Sequence, residues 1–297
     1  MPGFPGLLGG CPPTILWYIK SKCIGVGAVA WEWRKGQKTK YLTIPEWERV
    51  RVEVAFSGRN GGVSGGPYDS LNLGLHVGDQ EQDVLENRRR FWSEWGARAT
   101  DVVVGEQVHS NKVVWVGEND KGRGAMQLST ALPGVDGMLT GGGMGLMAFF
   151  ADCVPVYFFH PGLKVVGLAH AGWKGTAGRI GIQVLNMLSA RGGEPGDCWV
   201  AIGPGIGRCC YEVDERVARE FPYPVGYESF LAGIRPGHFR LDLAQANREM
   251  LIKAGVAKER IWLAGLCTSC HPGDFFSYRR DGGTTGRMAA WIRLREE

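Results

Sequence analysis

Three residues able to bind a borderline-soft metal stand where apolar runs break off. His109 ends "VGEQVH", Cys153 lies between "LMAFFAD" and "VPVYFF", and His170 ends "VVGLAH". Their wide, unequal separations are not the close ligand pairs of a zinc finger. They suit ligands delivered by neighbouring strands to one rim. Two imidazoles and a thiolate leave a fourth position open, which is the arrangement of a catalytic zinc. Each residue also has a plainer reading: a cysteine in an apolar run is a small core residue, and a histidine at a strand end is a hydrogen-bonded surface group. Asp152 directly precedes Cys153, and an acid in such a run must be paired if it is buried. On a strand the two side chains point to opposite faces, so a direct catalytic role for Asp152 requires a bulge or turn. Support of a metal-bound histidine is its alternative role. Pro155 then marks a place where sheet pairing is interrupted.

The elements that must position these groups are short. "VRVEVAFS" (50–57) alternates as a strand does and leads into a Gly-rich loop, 58–75. Asp79 is placed to cap a helix through "QEQDVLENRRRFWSEWG", with Gly96 as its stop. "DVVVGEQVHS" (101–110) and "NKVVWVG" (111–117) read as strands, and "VDGMLT", "LMAFFA", "VPVYFFH" and "KVVGLAH" as four more. "GTAGRIGIQVLNMLSARGG" reads as one helix between Thr176 and Gly192. A strand, "CWVAIGPGIG", then runs into a Gly/Pro turn. "EVDERVAREF" and "LDLAQANREMLIKAGV" are amphipathic helices, and "RIWLAGL" and "GRMAAWIRL" are closing strands. Strands that follow one another directly predict an α+β fold of layered, mixed sheets rather than an alternating parallel one. Residues 45–297 read as a single domain, and 1–44 as a peripheral N-terminal segment.

Composition excludes several classes. In 297 residues with 22% charged and 44% hydrophobic side chains, the chain reads as an ordinary globular protein. A net charge of +4 gives no ground for a nucleic-acid or membrane partner. The apolar stretch "PTILWYIKSKCIGVGAVAW" is interrupted by Lys20 and Lys22 and is too short for a membrane span. Eight cysteines are too sparse for a secreted disulfide scaffold, so a reducing, cytoplasmic setting with free thiols or metal ligands is expected.

Seven motifs in order carry a resemblance: "GGVSGGPYDSLNLGLHVGD" (61–79), "EQVHS" (106–110), "VDGMLT" (135–140), "ADCVPV" (151–156), "AHAGWKGT" (169–176), "AIGPGIGRCCYEV" (201–213) and "FFSYRRDGGTTGR" (275–287). Together they resemble the YfiH family over about residues 45–297. That family is called laccase-like multicopper polyphenol oxidoreductase, and also purine nucleoside phosphorylase. The resemblance implies a layered α/β sandwich, shared distantly with bacterial toxins that use a Cys–His pair. It implies a zinc site of His109, Cys153 and His170, with copper as the alternative metal. It implies phosphorolysis of adenosine, inosine and 5′-methylthioadenosine, and hydrolytic deamination of adenosine. Related bacterial proteins are linked to peptidoglycan editing.

Both reactions make demands on other residues. Deamination needs a hydroxide nucleophile near neutral pH for C6 of adenine and an acid for the departing ammonia. Phosphorolysis needs donors that hold phosphate beside C1′ of the ribose. Arg59 in "SGRNGG" and Arg279 and Arg280 in "SYRRD" are candidates, each with a solvated or salt-bridged alternative. Asn72 in "SLNLG" is a weaker candidate for a nucleoside contact. His76 is a candidate fourth ligand or base, with packing favoured, and Trp173 could stack on a purine or simply pack. Gly203, Gly205 and Gly207 lack the Lys-Ser/Thr ending of a P-loop, which argues against ATP.

Three functional classes compete. The first is the zinc-dependent nucleoside enzyme. The second is a copper-dependent phenol oxidase, which six histidines are too few to equip as a four-copper laccase. The third is a cysteine hydrolase with Cys153 as nucleophile and His170 or His109 as base. "CTSCH" (267–271) matches a haem-attachment pattern, yet haem attachment needs export, which the N-terminus does not favour. A redox pair or second metal clip among Cys209, Cys210, Cys267 and Cys270 stays open.

Overall fold

The structure is a computed structural model describing residues 31–221, 230–232 and 235–296. The N-terminal apolar stretch, Cys11 and Cys23 lie outside the described residues. One six-stranded sheet has the order β1 (Glu32–Lys35), β2 (Lys40–Thr43), β3 (Val52–Ser57), β15 (Met288–Leu294), β7 (Gly145–Phe150), β4 (Val102–Val104). The second runs β14 (Ile261–Leu263), β10 (Trp199–Ile202), β8 (Val154–His160), β9 (Val165–Ala171), β6 (Gly137–Thr140), β5 (Val113–Trp115). A three-stranded sheet, β11 (Glu212–Asp214), β13 (His238–Leu241) and β12 (Phe230–Ala232), stands apart. Pairing is antiparallel except for β4 with β7, β5 with β6 and β10 with β14. The expected mixed-sheet α+β architecture is what is found.

Alternation along the strands sorts their side chains into layers. Leu146, Ala148 and Phe150 of β7 meet Tyr157 and Phe159 of β8 and Val166 and Leu168 of β9 between the two sheets. Met147 and Phe149 point the other way, under Phe91 and Trp92 of helix α2 (Glu81–Ser93). Val156 and Phe158 face the outer side of the second sheet, against Val184 and Leu188 of α4 (Ile180–Ser189) and Leu251 of α6 (Leu243–Lys253). The result is a helix–sheet–sheet–helix stack. Each fully buried aliphatic or aromatic side chain contributes about 1.5–3 kcal/mol. Strands covered on both faces carry apolar residues at every position, which is why these segments read as continuous runs.

Several expectations require correction. Residues 32–43, expected to be peripheral, form β1 and β2 at the edge of the first sheet. "DVVVGEQVHS" is a strand only to Val104; Gln107 and His109 then adopt left-handed backbone, with φ of 59° and 62°. The single helix expected after Thr176 is two, α3 (Trp173–Ala177) and α4, broken at Arg179 with φ 58°. Asp79 does not cap α2; Gln80 occupies that position without a side-chain bond, while Asp79 accepts from Asn72. Pro155 lies inside β8 opposite His170, and on its other edge the ladder to β10 ends at Ile202 and Val156, with Pro155 O accepting from Gly203 N at 3.0 Å. On α2, Arg89 and Arg90 pair with Glu86 on the surface. Arg88 is fully buried and bonds only carbonyls, those of Leu73, Gly124 and Ala125. That burial brings its pKa down to about 9. Among the described residues, no helix is long and apolar enough to cross a membrane.

Candidate metal centre and cavity

The ligand atoms of His109, Cys153 and His170 all lie within 4.8 Å of one another. Three different local structures bring them together. Cys153 sits in the turn between β7 and β8, where Asp152 has φ 89°. His170 lies near the end of β9. His109 stands on the left-handed loop after β4. There the Gln107 side chain donates to Phe149 O at 2.9 Å and accepts from Phe149 N at 2.7 Å, extending the pairing of β7 past the point where β4 stops. The His109 and His170 rings meet edge to face, their centroids 4.9 Å apart.

One buried carboxylate organises two of the three ligands. Asp136, with a fully buried side chain, takes His170 Nδ1 at 2.8 Å on Oδ1. The same oxygen accepts from His109 N at 3.1 Å. Its Oδ2 accepts from Val108 N, Ser110 N and Ser110 Oγ at 3.2, 2.7 and 2.8 Å. Burial works against the Asp136 charge, yet the bonds from His170 and Ser110 hold its pKa below the usual carboxylate value. With Nδ1 engaged, Nε2 is the nitrogen His170 offers to a metal, the arrangement seen when a carboxylate orients a metal-binding histidine.

The thiol and imidazole perturb one another strongly. Burial alone would raise the Cys153 pKa, but His170 and then His109 overcome it and bring it down to about 6. Burial would lower the pKa of His170, while the Cys153 thiolate and Asp136 raise it to about 9. Gly172 keeps this space open: a Cβ there would stand 2.8 Å from Cys153 Sγ and 3.2 Å from His109 Cδ2. Two imidazoles, a ready thiolate, a carboxylate behind one ligand and an open fourth side fit a catalytic zinc.

The fourth side faces a cavity of about 510 Å³. Phe149, Trp173, Ile206, Tyr211 and Tyr278 supply apolar and aromatic wall, and Arg279 and Arg287 supply positive charge. His76 stands at the exposed mouth; desolvation, then Arg287 and Arg88, push its pKa down to about 4, so it is neutral near pH 7. The Arg279 guanidinium donates to Glu212 O at 2.9 Å and lies over the Tyr211 ring. Arg287 donates to Thr285 O and Gly286 O; desolvation lowers its pKa.

Of the other expected site residues, Asp152 and Arg279 reach the cavity, and Arg59, Arg280 and Asn72 do not. Asp152 lines the cavity, but both its oxygens are engaged: Oδ1 accepts from Thr268 Oγ1 at 2.6 Å and Oδ2 from Arg279 N at 2.7 Å. The turn that a direct role required is present, and it is spent on anchoring two segments of the wall. Arg59 does not line the cavity; its guanidinium bonds Asp69 O and Pro272 O and lies over Phe276. Arg280 is likewise outside, held by Asp281, Thr268 O and Phe275 O. Asn72 is buried behind the wall, where its Oδ1 accepts from Arg287 N at 2.9 Å. Nothing in their spacing sets Arg287 or Asp136 apart in the sequence, although both stand in the family motifs. The one available signal was a charged residue directly before an apolar strand.

A sequence model of the family described as multi-copper polyphenol oxidoreductase laccase matches residues 53–295. A protein named purine nucleoside phosphorylase YlmD from Geobacillus stearothermophilus is 49% identical over 244 residues, covering 80% of this chain and 89% of that one. Its namesake from Bacillus subtilis is 39% identical over 263 residues, 86% of this chain and 95% of the relative. The crystal structure of a Bacillus licheniformis protein, hypothetical protein YfiH, superimposes with a TM-score of 0.85 at 41% identity, covering 89% of this chain and 99% of that one. The chain belongs to the multi-copper polyphenol oxidoreductase laccase family, the YfiH family its motifs resemble.

Proposed function

We propose that the protein is a zinc-dependent purine nucleoside phosphorylase that also deaminates adenosine by hydrolysis. One observation carries the reading: a His₂Cys donor set and two arginines line one aromatic-walled cavity of about 510 Å³, a size suited to a small molecule. The names of the relatives support the phosphorylase half. His109, Cys153 and His170 would hold the zinc ion, which when bound would supply Lewis acidity and an activated water near neutral pH. The remaining work falls to the chain. Arg279 and Arg287 bind phosphate by charge-assisted hydrogen bonds and aim one oxygen at C1′. That C–O bond forms as the bond from C1′ to the base breaks, and the proton released by the hydrogen phosphate leaves on the base. Phe149, Trp173 and Tyr278 offer faces for the purine. Asp136 holds His170 and the His109 loop in place.

The test is incubation of metal-replete protein with adenosine, with and without phosphate. Adenine and ribose 1-phosphate in the presence of phosphate, with inosine and ammonia in its absence, are expected; intact adenosine in both tubes refutes the proposal. A second reading has its own observation. Cys153, His170 and Asp136 are ordered as nucleophile, base and orienting acid, so a cysteine hydrolase is the alternative. It predicts ester or amide hydrolysis by the metal-free protein that disappears in Cys153→Ser. A phenol oxidase finds less support, because only three of the six histidines stand at this cavity.

A further inference from the structure

We infer that Cys209, Cys210, Cys267 and Cys270 form a second, structural zinc site that staples two loops of the cavity wall. Their four sulfurs lie within 4.8 Å of one another. Cys270 Sγ is 3.4 Å from both Cys209 Sγ and Cys210 Sγ. Zinc–sulfur bonds of about 2.3 Å in a tetrahedron put the sulfurs ~3.8 Å apart, so the four need only small shifts to close on an ion. Cys267 Sγ accepts a hydrogen bond from Gly207 N at 3.2 Å, which ties the two loops together at the cluster. An all-sulfur set selects zinc over magnesium or calcium and leaves no open position, which marks a structural site rather than a catalytic one.

Chemistry and placement agree. The cluster joins the turn after β10 to the Cys-x-x-Cys turn after β14, where Thr268 N donates to Gly205 O at 3.0 Å. The first turn carries Ile206 and Tyr211 of the cavity wall. The second carries Thr268, whose hydroxyl donates to Asp152. A single cation would engage all four groups at once. A disulfide would use only two of them and would need an oxidant.

The experiment is metal analysis of the full chain purified from zinc-supplemented cells. About two zinc ions per chain are expected in the wild type, about one in Cys209→Ser/Cys267→Ser and about one in His109→Ala/Cys153→Ala. One ion in the wild type that survives in Cys209→Ser/Cys267→Ser but vanishes in His109→Ala/Cys153→Ala overturns the inference. One ion with the reverse dependence upholds it and removes the cavity metal instead, so the two claims fail separately. If the thiol variants do not fold, alkylation of native wild type followed by peptide mapping decides. Zinc should protect these four thiols until a chelator is added. Alkylation at an equal rate with and without zinc, or a disulfide among the four, overturns the inference.

Discussion

Replacing Asp136 with Asn removes one charge and keeps the shape, and the structure specifies the damage. The carboxylate accepts five hydrogen bonds, two on Oδ1 from His170 and His109 and three on Oδ2 from Val108 and Ser110. An asparagine has one accepting oxygen and must choose. With its oxygen toward His170, the amide group faces the N–H groups of Val108 and Ser110 and drives the His109 loop away. With its amide toward His170, Nδ1 must become the acceptor, and the ring proton moves to Nε2, where a metal would bind. Losing two or three charge-assisted bonds costs on the order of 3 kcal/mol before relaxation. Loss of a partner that orients a metal ligand weakens metal binding by roughly 10–100-fold. The assay is the free zinc concentration at which Cys153 becomes open to alkylation in a chelator titration, read by peptide mapping. The midpoint should move by that factor toward higher free zinc. A folded Asp136→Asn protein whose midpoint stays within about twofold of wild type would refute the assigned role.

Three further outcomes are expected. Arg279→Gln and Arg287→Gln should each raise the KM for phosphate about tenfold or more, the value of one charge-assisted bond, while phosphate-independent deamination stays within a few fold. In chelator-stripped protein, Cys153 should alkylate half-maximally near pH 6, since the reactive thiolate forms as pH rises through its pKa of about 6; a midpoint near that of an ordinary thiol contradicts the ion pair with His170. Asp152→Asn should lower stability by about 1–3 kcal/mol, because one of its two anchoring bonds is lost; a collapse of kcat at unchanged melting temperature would instead make it the catalytic acid.

Cys153 and His170 were legible as candidate ligands because they interrupt apolar runs that buried strands require, and the two sheets bury those runs on both faces. His109 was legible only as a residue type. Its geometry depends on left-handed backbone and on the Gln107 amide extending β7's ladder, neither of which has a periodic signature. Arg179 breaks an apolar pattern that stays helical on both sides, so periodicity runs straight through the break. Arginines read alike in sequence, and only partners separate them: Arg59 and Arg280 are tied to carbonyls and Asp281, while Arg279 and Arg287 face the cavity. Asp136 sat unremarked in "VDGMLT" because its importance lies in bonds to residues 26 to 34 positions away.

The proposed function requires one cavity to join a metal-binding His₂Cys set to phosphate-binding arginines for nucleoside cleavage. The most direct measurement is hypoxanthine release from inosine by zinc-replete wild type and Cys153→Ala proteins, with and without phosphate. Release that requires both phosphate and Cys153 is predicted. No release from zinc-replete wild type, or phosphate-dependent release undiminished in Cys153→Ala, would contradict it.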